Sequence, residues 1–304
     1  MSLSVKEILT IGKNRLAESD IADAEIDCKI LYCFMMNITS TQIILEYQKI
    51  LPDTLCDQYF ALLDRRCSGE PVQYITGTQE FMGLEFDVNE QVLIPRQDTE
   101  TMVEDAISII SGNTLRGEQL PIKQKKDVVV LDLCCGSGAI GLSIANFCSN
   151  AKVICADISS KALSVTKQNA QKLSVAKKVH FEEGNLLEPF KGRFKNKKFD
   201  LILSNPPYIK TDVIPTLQTE VRDHEPMMAL DGGADGLDFY RAIIADAAQC
   251  LRKEGILMLE IGHDQREAVL ELIDETGQYD YVTGLTDLAG RDRIIVAILG
   301  KQKK

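Results

Sequence analysis

The sequence has 304 residues, of which 45% are hydrophobic and 26% charged, the balance of a globular protein with about two domains. No run approaches the ~18 consecutive apolar residues of a membrane helix, which excludes a membrane-spanning protein. The chain has 45 acidic and 34 basic residues, a net charge of −11, which excludes the strongly basic composition typical of nucleic-acid-binding domains.

The cysteines indicate a reducing compartment. There are nine, an odd number, and no two form a C-x-x-C pair, so the sequence predicts neither a disulfide framework nor a zinc site. The first residues lack a basic region followed by an apolar stretch, and we therefore expect a cytoplasmic protein. We also expect no metal, no membrane partner and a monomer.

Residues 1–70 carry apolar side chains at helical spacing and predict a small N-terminal helical bundle with short connections. An acidic cluster lies within this region. We expect it to form a solvated face; the alternative is a docking surface for a basic protein. The cluster comprises Glu18, Asp20, Asp23, Glu25 and Asp27.

The character of the chain changes after residue 70. Glycines and aromatic residues interrupt any helix over 71–97, and Leu84 to Val88 is prone to form a strand, so this segment is predicted to be a β-hairpin linker. A helix is predicted over 98–110. The polar stretch 111–126 is predicted to be a loop.

Strands and helices alternate from residue 127 onward. Val128 to Leu133 is a continuous apolar run, typical of a strand buried on both faces. Residues 98–304 therefore predict an α/β domain with a doubly wound, mostly parallel sheet. The last two strands are joined by a short loop and should pair antiparallel. The predicted strands are 128–133, 152–156, 179–183, 199–204, 256–261, 279–285 and 291–299, and the predicted helices are 139–148, 160–173 and 238–252.

A glycine-rich turn follows the first of these strands. It reads Cys134-Cys135-Gly136-Ser137-Gly138 and continues to Gly141, giving G-x-G-x-x-G between a strand and a helix. Glycine permits a tight turn and close approach of a ligand, and the next helix points its N-terminus at that ligand. Asp157 ends the following strand, where its carboxylate can accept hydrogen bonds from two ribose hydroxyls.

Asp132, near the end of the first strand, favours one ligand over another. Its carboxylate would repel a pyrophosphate but suits a cationic amino group. S-adenosylmethionine has an amino acid end, a ribose and an adenine but no phosphate, so it fits this pattern better than NAD does. In the other interpretation, Asp132 only caps the turn.

A second motif, Asn205-Pro206-Pro207-Tyr208, follows the strand 199–204. It lies at the carboxyl end of a parallel strand, where ligands bind in such sheets. The Asn205 side-chain oxygen and the Pro206 carbonyl can accept both hydrogens of a planar amide or aryl amine, and Tyr208 can pack against its plane. A rigid turn without such a role is the alternative.

This motif suggests how an amide nitrogen, normally a poor nucleophile, could accept a methyl group. Acceptors on both hydrogens would fix the amide plane and stabilise the positive charge that develops on nitrogen. Holding the nitrogen in line with the methyl–sulfur bond adds a proximity effect. We expect no strong general base, with the proton leaving late to solvent or a carbonyl.

These residues resemble the HemK/PrmC protein-glutamine methyltransferases over nearly the whole chain. That family methylates the glutamine of the Gly-Gly-Gln motif of peptide chain release factors. The resemblance rests on Arg65-Arg66, Gly69 to Val72, Tyr74-Ile75, Gly77, Glu80-Phe81, Val92 to Arg96, Asp98 to Glu100, Asp132 to Gly138, Asp157, Asn205 to Ile209, Glu225-Pro226, Ala229-Leu230, Gly232 to Leu237 and Gly290 to Arg293.

The resemblance implies a class I, Rossmann-like fold dependent on S-adenosylmethionine, with an N-terminal domain that helps dock the release factor. Residues 134–138 and Asp157 would bind the donor, and Asn185 and Leu186 would contact its adenine. The segment Asn205 to Tyr208 would hold the substrate glutamine, with Asn205 also near the donor. S-adenosylhomocysteine would be the product.

Three positions depart from the family pattern. Gln97 replaces a second proline after Pro95-Arg96, and Asn185 stands where aspartate is common. Cys134 stands where glycine is common. Because a Cβ disfavours positive φ, we expect the backbone of Cys134 to avoid it.

Two alternatives remain open. Asn-Pro-Pro-Tyr also occurs in adenine amino-methyltransferases acting on DNA, so an enzyme acting on DNA or RNA is the first; it would need a base-flipping pocket and a basic groove. The net charge and the more family-specific segment 70–100 argue against it. A donor-binding protein without activity is the second, and the intact Asn205 to Tyr208 argues against that.

One basic stretch interleaved with phenylalanines bears on the first alternative. We expect a solvated loop rather than a nucleic-acid patch. The stretch contains Phe190, Lys191, Arg193, Phe194, Lys195, Lys197, Lys198 and Phe199.

Overall fold

The computed structural model describes residues 3–191 and 198–300. The chain forms two compact units: one contains the residues up to Thr78 together with Leu217–Glu225, and the other contains Gln79–Thr216 and the residues from Pro226 onward. This division differs from the expected boundaries at 70 and 97. Of the segment 71–97, predicted to be a hairpin linker, residues 71–78 belong to the first unit and contain a short helix, Val72–Thr76, and only residues 79–97 belong to the second. A later segment, Leu217–Glu225, belongs to the first unit.

The elements are numbered in chain order. The helices are α1 (Val5–Glu18), α2 (Ala24–Met36), α3 (Ile43–Glu46), α4 (Asp53–Cys67), α5 (Val72–Thr76), α6 (Gln97–Gly112), α7 (Ala139–Phe147), α8 (Ser160–Lys172), α9 (Glu188–Lys191), α10 (Thr219–Arg222), α11 (Asp238–Cys250) and α12 (Arg266–Asp274). The strands are β1 (Thr78–Phe81), β2 (Leu84–Asp87), β3 (Thr114–Leu115), β4 (Glu118–Gln119), β5 (Val128–Leu133), β6 (Ala151–Asp157), β7 (Val179–Glu183), β8 (Phe199–Ser204), β9 (Leu251–Glu260), β10 (Tyr279–Thr286) and β11 (Asp292–Leu299).

The first unit is the helical bundle that the sequence predicts. Its core is one cluster of buried side chains, in which the rings of Tyr32 and Tyr59 meet edge to face with centroids 6.1 Å apart. The Tyr59 hydroxyl donates to the Cys28 carbonyl at 2.9 Å, so the polar end of this buried ring is satisfied.

A buried cation joins three helices of the first unit. Arg66 Nε donates to Asp27 Oδ2 (2.7 Å) and Arg66 Nη2 donates to Glu220 Oε2 (2.5 Å), which connects α4 to α2 and α10. The expectation that Asp27 belongs to a solvated acidic face is therefore wrong. Its burial raises the pKa of the Asp27 carboxyl, and the Arg66 guanidinium opposes that rise.

The second unit is built on a seven-stranded sheet in the order β10-β11-β9-β8-β5-β6-β7. Strands β5 to β9 run parallel, and β11 pairs antiparallel with both β9 and β10. This arrangement confirms the predicted doubly wound, mostly parallel sheet with an antiparallel terminal strand.

Successive residues of the central strands face opposite sides of the sheet. Val130 and Leu201 pack in a core with side chains of α6, α7 and α8. Leu131 and Ile202 pack in a second core with side chains of α11 and α12. Burial on both faces explains why these strands are continuous apolar runs.

Two local predictions need correction. The predicted loop 111–126 contains a short hairpin of β3 and β4, which turns through Arg116 and Gly117, both with positive φ. The strand predicted over 256–261 begins earlier, at Leu251, and Glu254 within it also has positive φ. In both cases the pairing of strands overrides a polar local sequence.

The basic stretch divides between described and undescribed residues. Phe190 and Phe199 are buried and meet edge to face at 5.2 Å, so these two rings form core rather than a surface for bases. Lys191 Nζ pairs with Asp246 Oδ2 at 2.5 Å. Arg193, Phe194, Lys195 and Lys197 lie outside the described residues.

Candidate active site

The two sequence motifs meet where the winding of the sheet reverses. Strand β5 lies between β6 and β8, so this is the switch point at which ligands bind in open α/β sheets. Leu133 and Ser204 are partners in the register of β5 and β8, and Ser204 Oγ donates to the Leu133 carbonyl at 2.8 Å. The glycine-rich turn and Asn205 therefore leave adjacent strand ends.

The turn after β5 uses left-handed backbone at three alternating positions, Cys134 (φ +59°), Gly136 (φ +54°) and Gly138 (φ +83°). The expectation that Cys134 avoids positive φ is wrong, because the shape of the turn outweighs the steric strain of a Cβ. At Gly138 a Cβ would lie 2.5 Å from Thr166 Cγ2. That position therefore requires glycine both for its positive φ and for lack of space.

Asp132 lies behind the turn. It is fully buried, and its Oδ2 accepts a hydrogen bond from Gly141 N at 2.8 Å. Its Oδ1 has no partner among the described residues. Desolvation raises the pKa of this carboxyl to about 7. The geometry favours a residue that shapes the turn, and it does not support direct contact between Asp132 and the amino group of a ligand.

Asp157 faces a cavity in front of the turn. Its Oδ2 accepts from Gly136 N and its Oδ1 accepts from Ser159 N, both at 2.9 Å. A carboxylate oxygen can accept more than one hydrogen bond, so both oxygens retain capacity for a ligand. Burial raises the pKa of Asp157, while these backbone N–H groups oppose the rise.

The cavity measures about 570 Å³. Leu93, Ile158 and Phe239 are among its apolar walls, and Asp231 adds a second carboxylate to its lining. Several sequence-predicted residues line it, namely Cys134, Gly136, Asp157, Asn185, Leu186, Asn205 and Pro207. Others lie outside the lining that the described residues form, namely Asp132, Cys135, Ser137, Gly138, Pro206 and Tyr208.

The Asn-Pro-Pro-Tyr segment is held in place by the chain that follows it. Ile209 N donates to the Leu230 carbonyl (3.0 Å), and Gly232 N donates to the Ile209 carbonyl (2.8 Å). Gln265 Nε2 donates to the Tyr208 carbonyl at 2.9 Å. These bonds fix the segment at the edge of the sheet.

The segment presents two free acceptors. Within residues 3–191 and 198–300, neither Asn205 Oδ1 nor the Pro206 carbonyl accepts a hydrogen bond, while Asn205 Nδ2 donates to Thr99 Oγ1 at 3.4 Å. Two such acceptors suit the two hydrogens of one planar NH₂ group.

Sequence reasoning gave no role to Thr99, Glu260 or Gln265. Gln265 precedes α12, a helix that it did not predict. Glu260 interrupts the apolar run at the end of β9, and this buried charge in a central strand is the one signal that could have drawn attention to it.

The described part of the chain offers neither a metal site nor a membrane-spanning helix. Residues 3–191 and 198–300 contain no group of three or more His, Cys, Asp or Glu side chains placed to hold a metal ion. No helix in this part of the chain is long and apolar enough to cross a membrane.

Comparison with known proteins places the chain among methyltransferases. The family described as PrmC N-terminal domain matches residues 7–77, and the family described as methyltransferase domain matches residues 124–280. A release factor glutamine methyltransferase of Moorella thermoacetica is 38% identical over 97% of this chain and 98% of its own length. The protein of that name from Clostridium acetobutylicum is 37% identical over 98% of this chain and 99% of its own length.

Solved structures show the same fold. The methyltransferase domain of METTL16 aligns with a TM-score of 0.52 at 17% identity and covers 72% of this chain and 90% of its own. A methyltransferase from Pyrococcus furiosus aligns with a TM-score of 0.50 at 15% identity and covers 72% of this chain and 91% of its own. At such identities the likeness concerns the fold alone.

Proposed function

The chain belongs to the release factor glutamine methyltransferase family, and on that premise we propose the reaction that its site supports. The enzyme transfers a methyl group from S-adenosylmethionine to the side-chain amide nitrogen of the glutamine in the Gly-Gly-Gln motif of peptide chain release factors. The observation that carries this proposal is the pair of free acceptors on consecutive residues, Asn205 Oδ1 and the Pro206 carbonyl, of which Asn205 lines the cavity.

The residues around the cavity fit the methyl donor. S-adenosylmethionine supplies a methyl group on a positively charged sulfur. Asp157 would accept hydrogen bonds from the ribose hydroxyls, and Asn185 and Leu186 would contact the adenine. Gly136 and Cys134 would hold the amino acid end through the backbone of the turn. The apolar walls of the cavity suit an adenine ring better than they suit a pyrophosphate.

The amide of the substrate glutamine is activated by its two acceptors. Asn205 Oδ1 and the Pro206 carbonyl would each accept one N–H, which fixes the amide plane and aims the nitrogen at the methyl carbon. The nitrogen electron pair forms the new N–C bond as the C–S bond breaks, and that bonding pair stays on sulfur. The same two acceptors stabilise the positive charge that grows on nitrogen.

The excess proton leaves the nitrogen late in the methyl transfer or after it. The titratable side chains that line the cavity, within the described chain, are Cys134, Asp157 and Asp231, and no histidine is among them. Asp157 is occupied with backbone N–H groups and the ribose. We therefore keep the proposal that no strong general base acts, and that solvent or a carbonyl receives the proton.

The proposal extends to partners and setting. We propose that the helical first unit helps dock the release factor, that the enzyme acts as a monomer, and that it works in the cytoplasm where release factors act. The family resemblance and the match of residues 7–77 support the docking role. Light scattering of the enzyme alone tests whether it is a monomer. Light scattering of the enzyme with a release factor tests the stoichiometry of their complex.

Transfer of labelled methyl groups tests the reaction. Wild-type enzyme with labelled S-adenosylmethionine should label a release factor, and label should be absent when the factor's Gly-Gly-Gln glutamine is replaced by alanine. The Asn205→Ala enzyme should label neither the unaltered release factor nor the alanine-substituted factor. Label on DNA or RNA but not on the factor would move the function to the nucleic-acid alternative.

A further inference from the structure

Glu260 is a buried carboxyl group beside the reacting centre with no role in the reaction described so far. It is the last residue of β9 and is 2% exposed. Its Oε2 has no hydrogen-bond partner within residues 3–191 and 198–300. An unsatisfied buried carboxyl oxygen costs folding free energy, so its presence needs an explanation.

The topology places Glu260 next to Asn205. Strands β8 and β9 are parallel neighbours, and Ser204 is the register partner of Leu259, so Asn205 and Glu260 are the next residues along both strands. The Tyr240 hydroxyl donates to the Glu260 carbonyl at 2.9 Å, which fixes the backbone there. The side chains of Thr99 and Asn205 lie close enough to the Glu260 carboxyl to lower its pKa.

These contacts bear on the orientation of the Asn205 amide. The two ends of an asparagine amide have nearly the same shape, and only their hydrogen-bond partners distinguish them. The proposed reaction needs Oδ1 to face the substrate, because Nδ2 would meet the substrate NH₂ with a second donor. Thr99 Oγ1 accepts from Nδ2 at 3.4 Å, and a hydroxyl that accepts from Asn205 can donate its own hydrogen to Glu260.

We propose that Glu260 is a positioning residue: with Thr99 it forms an acceptor wall that holds Asn205 Nδ2 inward and thereby presents Oδ1 to the substrate glutamine. This inference rests on the proposed function, since it explains how the acceptor in that reaction is held. An ionised carboxylate only accepts hydrogen bonds, so it selects one of the two orientations of the amide.

Protonation of Glu260 would remove this selection. A neutral carboxyl group is also a donor and could satisfy Asn205 Oδ1 through Thr99 in the flipped orientation. The charged and titratable groups facing Glu260 are Arg293 on β11, Asp98 on α6, and the tyrosines Tyr208 and Tyr240. Desolvation dominates and raises the pKa of Glu260 to about 7, while Thr99, Arg293 and Asn205 oppose the rise.

The test measures kcat against pH at saturating donor, which removes the contribution of Asp157 to donor binding. Wild-type kcat should fall as pH drops through about 7. Glu260→Ala should lower kcat by about 10- to 100-fold, the scale expected for a misplaced reacting group. Glu260→Gln can donate as well as accept, like the protonated carboxyl group, so it should lower kcat to about the wild-type value at low pH and lose the acidic limb. Thr99→Val should behave like Glu260→Ala.

A matched control separates positioning from stability. Asp105 is a buried carboxylate on α6, the helix that carries Thr99, and it pairs with Arg116 at 3.1 Å. Asp105→Asn should change the melting temperature without altering the pH profile of kcat. Adding Glu260→Ala to Thr99→Val should cost no further activity, because both changes remove one unit.

Three outcomes would overturn the inference. Wild-type kcat and pH profile in Glu260→Ala would show that Asn205 needs no such support. A Glu260→Gln enzyme with full wild-type kcat at neutral pH would show that the charge of Glu260 does not select the orientation of Asn205. Full additivity of Glu260→Ala with Thr99→Val would show independent effects. If wild-type enzyme labels no release factor, the proposed function fails instead.

Discussion

Ser204 Oγ donates a hydrogen bond of 2.8 Å to the Leu133 carbonyl, and both residues are almost completely buried. The bond links the last residues of β8 and β5 side by side. Asn205 and Cys134 are the next residues along these strands. The separation between the proposed glutamine site and the glycine-rich turn is therefore set by a contact inside the sheet.

Replacing Ser204 by alanine tests this link. The change removes a buried hydrogen bond to the Leu133 carbonyl and should lower the free energy of unfolding by about 0.5–1.5 kcal/mol, with a fall in kcat/KM. Chemical denaturation and initial rates measure the two effects. Ser143 is a matched control, since its buried hydroxyl has no partner within the described chain, and Ser143→Ala should be neutral or stabilising. Equal effects of both changes would contradict the role given to Ser204.

Glycine at position 134 should relieve strain in the turn. Because Cys134 has a φ of +59°, Cys134→Gly removes a left-handed penalty of about 1–2 kcal/mol, offset in part by chain entropy. We expect unfolding free energy to stay equal or rise by up to about 1 kcal/mol, and donor affinity to be kept. Cys135, buried and without positive φ, is the control: Cys135→Gly should destabilise. A Cys134→Gly variant as unstable as Cys135→Gly would refute the account of strain.

Asn169 should be a large contributor to the stability of the turn. Its Nδ2 donates to the carbonyls of Ser137 (2.9 Å) and Asp87 (3.0 Å), and its Oδ1 accepts from Asp87 N (2.7 Å). Asn169→Ala breaks three hydrogen bonds made by a fully buried side chain and should cost about 2–4 kcal/mol. Gln171 is exposed on the same helix, and Gln171→Ala should change stability little when both are measured by urea denaturation.

The buried carboxyl of Asp132 should make stability depend on pH. Its pKa is raised to about 7, so between about pH 4 and pH 7 the folded state binds more protons than the unfolded state. The stability contributed by Asp132 is then highest at low pH and falls as pH rises through that window. The difference in unfolding free energy between wild type and Asp132→Asn should fall over the same range. A difference that is flat or rises with pH would contradict burial as the cause.

The sequence predicted the strands and turns that form the edge of the site. Val128 to Leu133 and Phe199 to Ser204 are apolar runs of strand length, and the glycine-rich turn and Asn205 to Tyr208 follow them directly. Such features are local, so the sequence alone locates them. The family resemblance then supplied the substrate and agreed with the donor that the glycine-rich turn and Asp132 had indicated.

What the sequence did not predict depends on long-range partners. The burial of Asp132 depends on the register of three strands, and the positive φ of Cys134 depends on the closed shape of the turn. Asp27 is buried because Arg66 reaches both it and Glu220, which lies far along the chain. The roles of Glu260 and Gln265 depend on the residues that they face, Asn205 and Tyr208.

The most direct test of the central claim is to locate the methyl group. Wild-type enzyme, S-adenosylmethionine and a release factor would be incubated, and the peptide containing Gly-Gly-Gln would be fragmented by mass spectrometry. The account predicts one added methyl group on the glutamine side chain, and none with the Asn205→Ala enzyme. An unmodified glutamine after complete incubation with folded, donor-binding enzyme, or a methyl group on another residue, would contradict it.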